Sequence, residues 1–164
     1  MHLLKEILAH EVYPALGCTE PVSCAYAAAV AAELGVPVER LTLCIDPSTY
    51  KNGAAVTVPH SGGAKGNLVA AALGAALARP EARLELLKDV DEEVPARGRA
   101  LCQADRCRLE CASGAAEFYV RVDMAGGEHS ACCVLRGSHT HIERIEKDGR
   151  VSVRRKRATP RAPD

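Results

Sequence analysis

The pattern of apolar and polar positions divides the chain into a helical front and a sheet-like back. Leu3, Leu4, Ile7 and Leu8 recur at spacings of three and four, which predicts a short amphipathic helix over His2–His10. Tyr13-Pro14-Ala15-Leu16-Gly17 breaks it. Thr19 can then cap a second helix, with Glu20 and Pro21 at its first positions, where a carboxylate meets the positive end of the dipole and a missing N–H costs little. That helix runs through Ala25–Ala32 to Leu34 and stops at Gly35, with Pro37 just beyond.

Leu41 to Asp46 alternates as a strand should, Pro47 to Gly53 reads as a loop, and Ala54 to Val58 reads as a second strand ended by Pro59. Ser61-Gly62-Gly63 is a turn leading into an alanine-rich helix over Ala64–Ala78. Pro80 ends that helix and opens another with Leu84, Leu86 and Leu87, and a further helix follows Asp91. From about Arg106 the period is two, through Arg108–Cys111, Phe118–Met124, Ser130–Leu135 and Ile142–Ile145, with Gly126-Gly127 and Asp148-Gly149 as hairpin signals. The expected class is α+β: amino-terminal alanine-rich helices with a mixed or antiparallel sheet, ending in a β-meander. The expected organisation is one domain over 1–153 and a basic, disordered tail over 154–164.

Composition sharpens this picture. With one Phe, four Tyr and no Trp, alanine must fill the apolar positions, so the helices and sheet have to approach one another closely. The net charge is zero, yet residues 154–164 hold five basic groups and one acidic, which leaves the body at −4. Such a body offers no basic surface for nucleic acid. No apolar run reaches the ~18–20 residues that cross a bilayer, and no signal peptide is recognised, so the protein is expected in the cytoplasm. There the eight cysteines should be reduced thiols.

Gly17-Cys18-Thr19-Glu20-Pro21 puts a thiol just before a helix amino terminus, where free N–H groups and the dipole favour the thiolate; Glu20 opposes this if its carboxylate lies close. Tyr50-Lys51-Asn52-Gly53 offers donors suited to a carboxylate, or is a solvated turn. His60-Ser61-Gly62-Gly63-Ala64-Lys65-Gly66 could present backbone N–H groups to an anion, but matches neither a Walker loop nor a dinucleotide fingerprint. Cys102, Cys107 and Cys111 are spaced more widely than the Cys-x2-Cys pairs of zinc sites, and the adjacent Cys132 and Cys133 must face opposite sides of a strand. Cys24 and Cys44 read as core residues; His139 and His141 would share a strand face, in a structural role, ligating a metal or lining a site.

Taken in order, Gly17–Pro21, Tyr50–Gly53 and the Ser61–Gly63 turn, followed by Leu86–Val90 and Arg136–Ile142, resemble the L-cysteine desulfidase family, relatives of the iron–sulfur serine dehydratases, over about residues 5 to 152. The resemblance implies β-elimination of L-cysteine (or L-serine), for cysteine giving pyruvate, ammonia and sulfide, with an open iron of a 4Fe-4S cluster as Lewis acid. It implies Cys18 as the catalytic base and Lys51, Asn52, Ser61, Gly62 and Gly63 as substrate-carboxylate ligands. The cluster cysteines of that family lie in a carboxy-terminal half, so they are expected outside this chain, on a separate subunit or lost by truncation. A homo-oligomer would cover the apolar surface left behind. The alternatives are a catalytically inactive remnant or binding module of the same fold, and a zinc-binding interaction domain built on Cys102–Cys111.

Overall fold

The computed structural model describes Lys5 and residues 15–88, 90–103 and 105–154, the last of these by its backbone. Apart from Lys5, the helix expected over His2–His10 lies outside the described residues, as does the tail from 155 onward. Among those described there are four α-helices: α1 (Thr19–Glu33), α2 (Pro47–Gly53), α3 (Asn67–Leu77) and α4 (Glu93–Gln103). The strands are β1 (Arg40–Ile45), β2 (Cys107–Cys111), β3 (Tyr119–Gly126), β4 (His129–Arg136), β5 (Ile142–Lys147) and β6 (Arg150–Arg154). The class is α+β, as the hydrophobic pattern predicts.

The strands form one sheet in the order β2-β1-β3-β4-β5-β6. β1 and β2 are parallel, linked by a long crossover that contains α2, α3 and α4, and every other pair is antiparallel. β3 to β6 form a meander, but Arg108–Cys111, expected at its start, instead pairs in parallel with β1 at the sheet edge as β2. Arg154 pairs with Arg144 inside β6, so the sheet runs one residue past the expected boundary at 153.

α1 lies between the sheet and α3, and every residue from Pro21 to Ala32 is buried. A helix covered on all sides needs no amphipathic stripe, which explains why Ala27–Ala29, Ala31 and Ala32 crowd round its whole circumference. The closeness of α3 is set at Gly74, where a Cβ would stand 2.0 Å from the carbonyl oxygen of Ala25. On the sheet, Leu41, Leu43, Ile45, Val120, Val122, Met124, Cys133 and Leu135 complete this core. The carboxyl end of α1 closes at Gly35 (φ +74°), and Lys147 of β5 donates to the free carbonyl of Leu34 at 2.7 Å.

Several local expectations change. Pro47–Gly53 is a helix, because Asp46 caps it through Thr49 N–H at 2.9 Å and Pro47 takes its first position. Ala54–Val58 is not a strand: Thr57 makes a single bridge to Lys65, closing a small loop with Ser61–Gly63 at its tip. The glycine turn therefore does not open the following helix, which starts at Asn67 after Gly66 (φ +103°). Pro80 introduces only a short 3-10 turn, Arg83–Glu85. Cys18, not Thr19, occupies the N-cap of α1, without a side-chain cap bond. Cys44 lies on the face of β1 opposite Leu43 and is half-buried, and His139 and His141 sit in the β4–β5 turn, not on a strand.

Candidate functional site

At the carboxyl end of β1, the amino termini of α1 and α2 meet the loops before β3 and after β4 around a cavity of about 310 Å3. Glu20, Asp46, Ser48, Asn52, Phe118 and His139 are among its lining residues. The Cys18 thiol donates to Oε2 of Glu20 at 2.8 Å, and the Thr19 hydroxyl donates to the same oxygen at 3.2 Å. The second oxygen, Oε1, accepts from Nδ2 of Asn52 at 3.5 Å. Glu20 is thus the hub that joins α1 to α2.

The electrostatics of Cys18 are the reverse of a helix-activated thiolate. Burial, the hydrogen bond to Glu20 and the adjacent carboxylate charge raise its pKa, and the backbone N–H groups of Glu20 and Thr19 only partly oppose them. The Cys18 bond in turn holds the Glu20 carboxyl below its usual range, helped by backbone N–H, Thr19 and Asn52, against the effect of burial. At neutral pH the pair is a thiol beside a carboxylate.

Asp46 is structural within this site. Only 4% exposed, it accepts from the N–H and hydroxyl of Thr49 at 2.9 and 2.7 Å and from Tyr119 N–H at 2.9 Å, tying α2 to β3. Burial pushes its carboxyl up, but these bonds outweigh that and keep it below the usual range. His139 packs its ring on Phe118, with centroids 4.4 Å apart. Burial lowers its pKa, and the charges of Glu20 and Asp46 pull it back up, so both carboxylates act on the imidazole.

The residues singled out from the sequence are distributed unevenly. Cys18 and Asn52 meet through Glu20, and α2 also carries Lys51, which is exposed and outside the cavity lining. The Ser61–Gly63 turn faces elsewhere: Ser61 bonds the carbonyl of Ala64 at 3.0 Å and lines a separate small cavity against α4, and a Cβ on Gly62 would lie 3.6 Å from Arg99. Only the base of its loop comes near, at Pro59 beside Gly17. Sequence reasoning assigned no role in the site to Asp46, left His139 open between a structural and a site-lining role, and treated Glu20 only as an opponent of the thiolate. The Asp-Pro step before α2, an N-cap signal, was the available clue to Asp46.

Comparison with known proteins gives relatives over most of this chain. It is 47% identical over 152 residues to UPF0597 protein GSU1527 of Geobacter sulfurreducens, an alignment that takes in 92% of this chain and 35% of the relative. It is 41% identical over 152 residues to a UPF0597 protein of Elusimicrobium minutum, covering 92% of this chain and 36% of that protein. With UPF0597 protein YhaM of Shigella sonnei the identity is 46% over 138 residues, 83% of this chain and 31% of the relative. The chain spans about a third of the length of these relatives. No protein-family model matches it, and no solved structure does.

These names correct the family resemblance. The similar proteins are UPF0597 proteins, and no desulfidase or serine dehydratase name appears among them. The physical reason is the brevity of the motifs that carried it. Glycine, proline and a capping residue at a helix start are demanded by backbone geometry, so strings of four or five such residues discriminate poorly beside an alignment of 152 positions.

An iron–sulfur cluster or a zinc ion needs three or more converging ligands. Among the described residues no group of three or more His, Cys, Asp or Glu is placed to hold a metal ion. Cys102 and Cys107 do lie together: the Cys107 thiol donates to Cys102, lowering the pKa of Cys102 and raising that of Cys107. These residues do not fit a cluster, and no step is derived through one. No helix among the described residues is long and apolar enough to cross a membrane.

Proposed function

We propose that the Cys18–Glu20 pair is the proton-transfer element of a carbon–sulfur lyase that breaks down L-cysteine by β-elimination, this chain supplying the base and a carboxy-terminal half or separate subunit supplying the electrophile. The observation that supports it is the 2.8 Å thiol–carboxylate contact at the edge of a cavity of about 310 Å3, a size suited to a small amino acid. The chemistry asks for such a pair. The α-hydrogen of an amino acid is barely acidic, so its removal needs a positioned base, and hydrosulfide leaves poorly without an electrophile.

Resting Cys18 is protonated because it faces a carboxylate. A substrate carrying an α-ammonium is drawn to Glu20, and its positive charge cancels the carboxylate charge that raises the thiol pKa. Cys18 then ionises more easily, its proton leaving by way of Glu20 to solvent so that the carboxylate is restored, and the thiolate takes the α-hydrogen. The Cβ–S bond breaks as the Cα–Cβ double bond forms, and hydrosulfide leaves. The enamine product tautomerises to an imine, and water hydrolyses it to pyruvate and ammonium. His139, packed on Phe118 in the lining of the same cavity and under the charge of both carboxylates, orients the substrate. An iron–sulfur cluster, if one serves as the electrophile, takes its ligands from outside the described residues. The eight free cysteines suit the reducing cytoplasm.

The test is made on the protein with its full-length remainder, purified anaerobically and given L-cysteine or L-serine. From L-cysteine, sulfide and pyruvate should appear in equal amounts; from L-serine, pyruvate without sulfide. Cys18→Ala should lower kcat by about 10²–10⁴-fold, the range of a lost general base, with unchanged thermal stability. Wild-type protein that releases no sulfide, or a Cys18→Ala variant with full activity, would sink the reading.

A further inference from the structure

The face of the sheet opposite the helices holds a second cavity, of about 470 Å3, near the amino end of β1 and so at the other end of that strand from Cys18. Strand register explains what stands there. Leu41, Leu43 and Ile45 point into the core, so Arg40 and Thr42 point to the open face. Leu41 is opposite Cys107 and Thr42 opposite Arg108 on β2, so Arg106, the residue just before β2, comes beside Arg40 at the start of β1. Parallel strands lie ~4.8 Å apart, and Arg40, Arg106 and Arg108 all line this one cavity, so three guanidinium groups can reach the same space.

The acidic groups of the same wall do not neutralise that cluster. Asp123 is held by Arg121 of its own strand through two bonds of 2.7 and 2.9 Å. Glu146 is paired with Arg144. Among the described residues Arg40, Arg106 and Arg108 make no side-chain ion pair or hydrogen bond, and Asp105 is the remaining carboxylate of the lining. Like charges directly opposite each other on neighbouring strands are destabilising. An anion seated between them removes that cost and occupies donors that otherwise face only water.

We propose that this open face binds a small phosphate-type dianion, either inorganic phosphate or the head of a phosphate monoester. Three planar guanidinium forks match the oxygens of a tetrahedral anion, and the hydroxyls of Thr42 and Ser130 border the same space. The volume leaves room for an organic group beyond the phosphate. No aromatic ring lines the cavity, so bases have nothing to stack on and a nucleic-acid strand is a poor fit.

The experiment follows thermal unfolding of the chain by circular dichroism in chloride, and at equal ionic strength with inorganic phosphate or glycerol phosphate. Phosphate should raise Tm saturably where chloride does not; a response to inorganic phosphate alone assigns the free ion, and a response to both assigns the monoester class. Arg106→Gln should raise Tm in chloride, by relieving repulsion with Arg40, and should weaken the phosphate response by about tenfold or more. Arg108→Gln should weaken the response in the same way. If Arg106→Gln fails to fold, Arg108→Gln and phosphorus-NMR line broadening with the wild-type chain decide. A phosphate effect no greater than that of chloride, absent line broadening, or an undiminished response in the folded variants overturns the proposal.

Discussion

Glu20 accepts a hydrogen bond from the Cys18 thiol across a single intervening residue, and this contact decides which way the cysteine is tuned. A thiol at the start of a helix is ordinarily drawn towards the thiolate by the N–H groups it faces. Here burial comes first, and the carboxylate adds to it, so the thiol pKa rises from its ordinary value of 9.0. Replacing Glu20 by Gln removes the charge while keeping a polar side chain. The Cys18 pKa should then fall, and alkylation of Cys18 at pH 8, followed by peptide mass spectrometry, should run several-fold faster than in the wild type. An unchanged or slower rate would mean that burial alone sets the thiol. The direction of this effect could not be read from residue types, because it depends on which rotamer Glu20 adopts.

Between elements, small residues act as spacers. Gly74 lets α3 touch the backbone of α1 at Ala25, and Gly53 lets α2 close on Asn67, whose Oδ1 would lie 1.9 Å from an added Cβ. Asn67 cannot swing aside without loss, since its Nδ2 donates to the carbonyl of Thr49 at 2.9 Å inside the core. Gly74→Ala should therefore cost about 1–3 kcal/mol through overpacking, seen as a lower urea midpoint with the slope of the transition unchanged. Wild-type stability in Gly74→Ala would show that the helices can separate without penalty. The alanine-rich stretches announce such close helices in the sequence. The partners of each glycine do not appear there, and Asn52-Gly53, a turn signal on its own, turns out to close a helix because Asn67 takes up the space a side chain would need.

At the scale of the whole molecule, Asp46 holds the end of β1, the start of α2 and the start of β3 in one junction. Its folded-state carboxyl lies below the ordinary 3.8, so its stabilisation is fully present above that pH and is lost as pH falls through the lower, folded value. Asp46→Asn should reduce stability at pH 7 by about 1–3 kcal/mol, on the scale of a lost charge-assisted buried hydrogen bond. The variant should also lose less of its remaining stability between pH 5 and pH 2 than the wild type, within ~10% of a flat profile for this group's share. Denaturant titrations at several pH values check both, and parallel acid profiles for the two proteins would show that other carboxylates govern the acid limb.

The class and most of the element order were legible in the chain itself: period two marks β1 to β5, alanine runs mark α1 and α3, and Gly35 marks the end of α1. These features are local, and the backbone periods of 2.0 and 3.6 write them directly into the order of residues. Three things were decided only by tertiary structure. The parallel pairing of β2 with β1, across a connection of more than sixty residues, brings Arg106 and Arg108 beside Arg40. Burial of α1 on all sides comes from the joint approach of sheet and α3. The meeting of Glu20 with Asn52 and His139 depends on loops closing over one strand end. Each rests on contacts between residues far apart in the chain, and no local pattern encodes which distant surface an exposed donor or a buried glycine will meet.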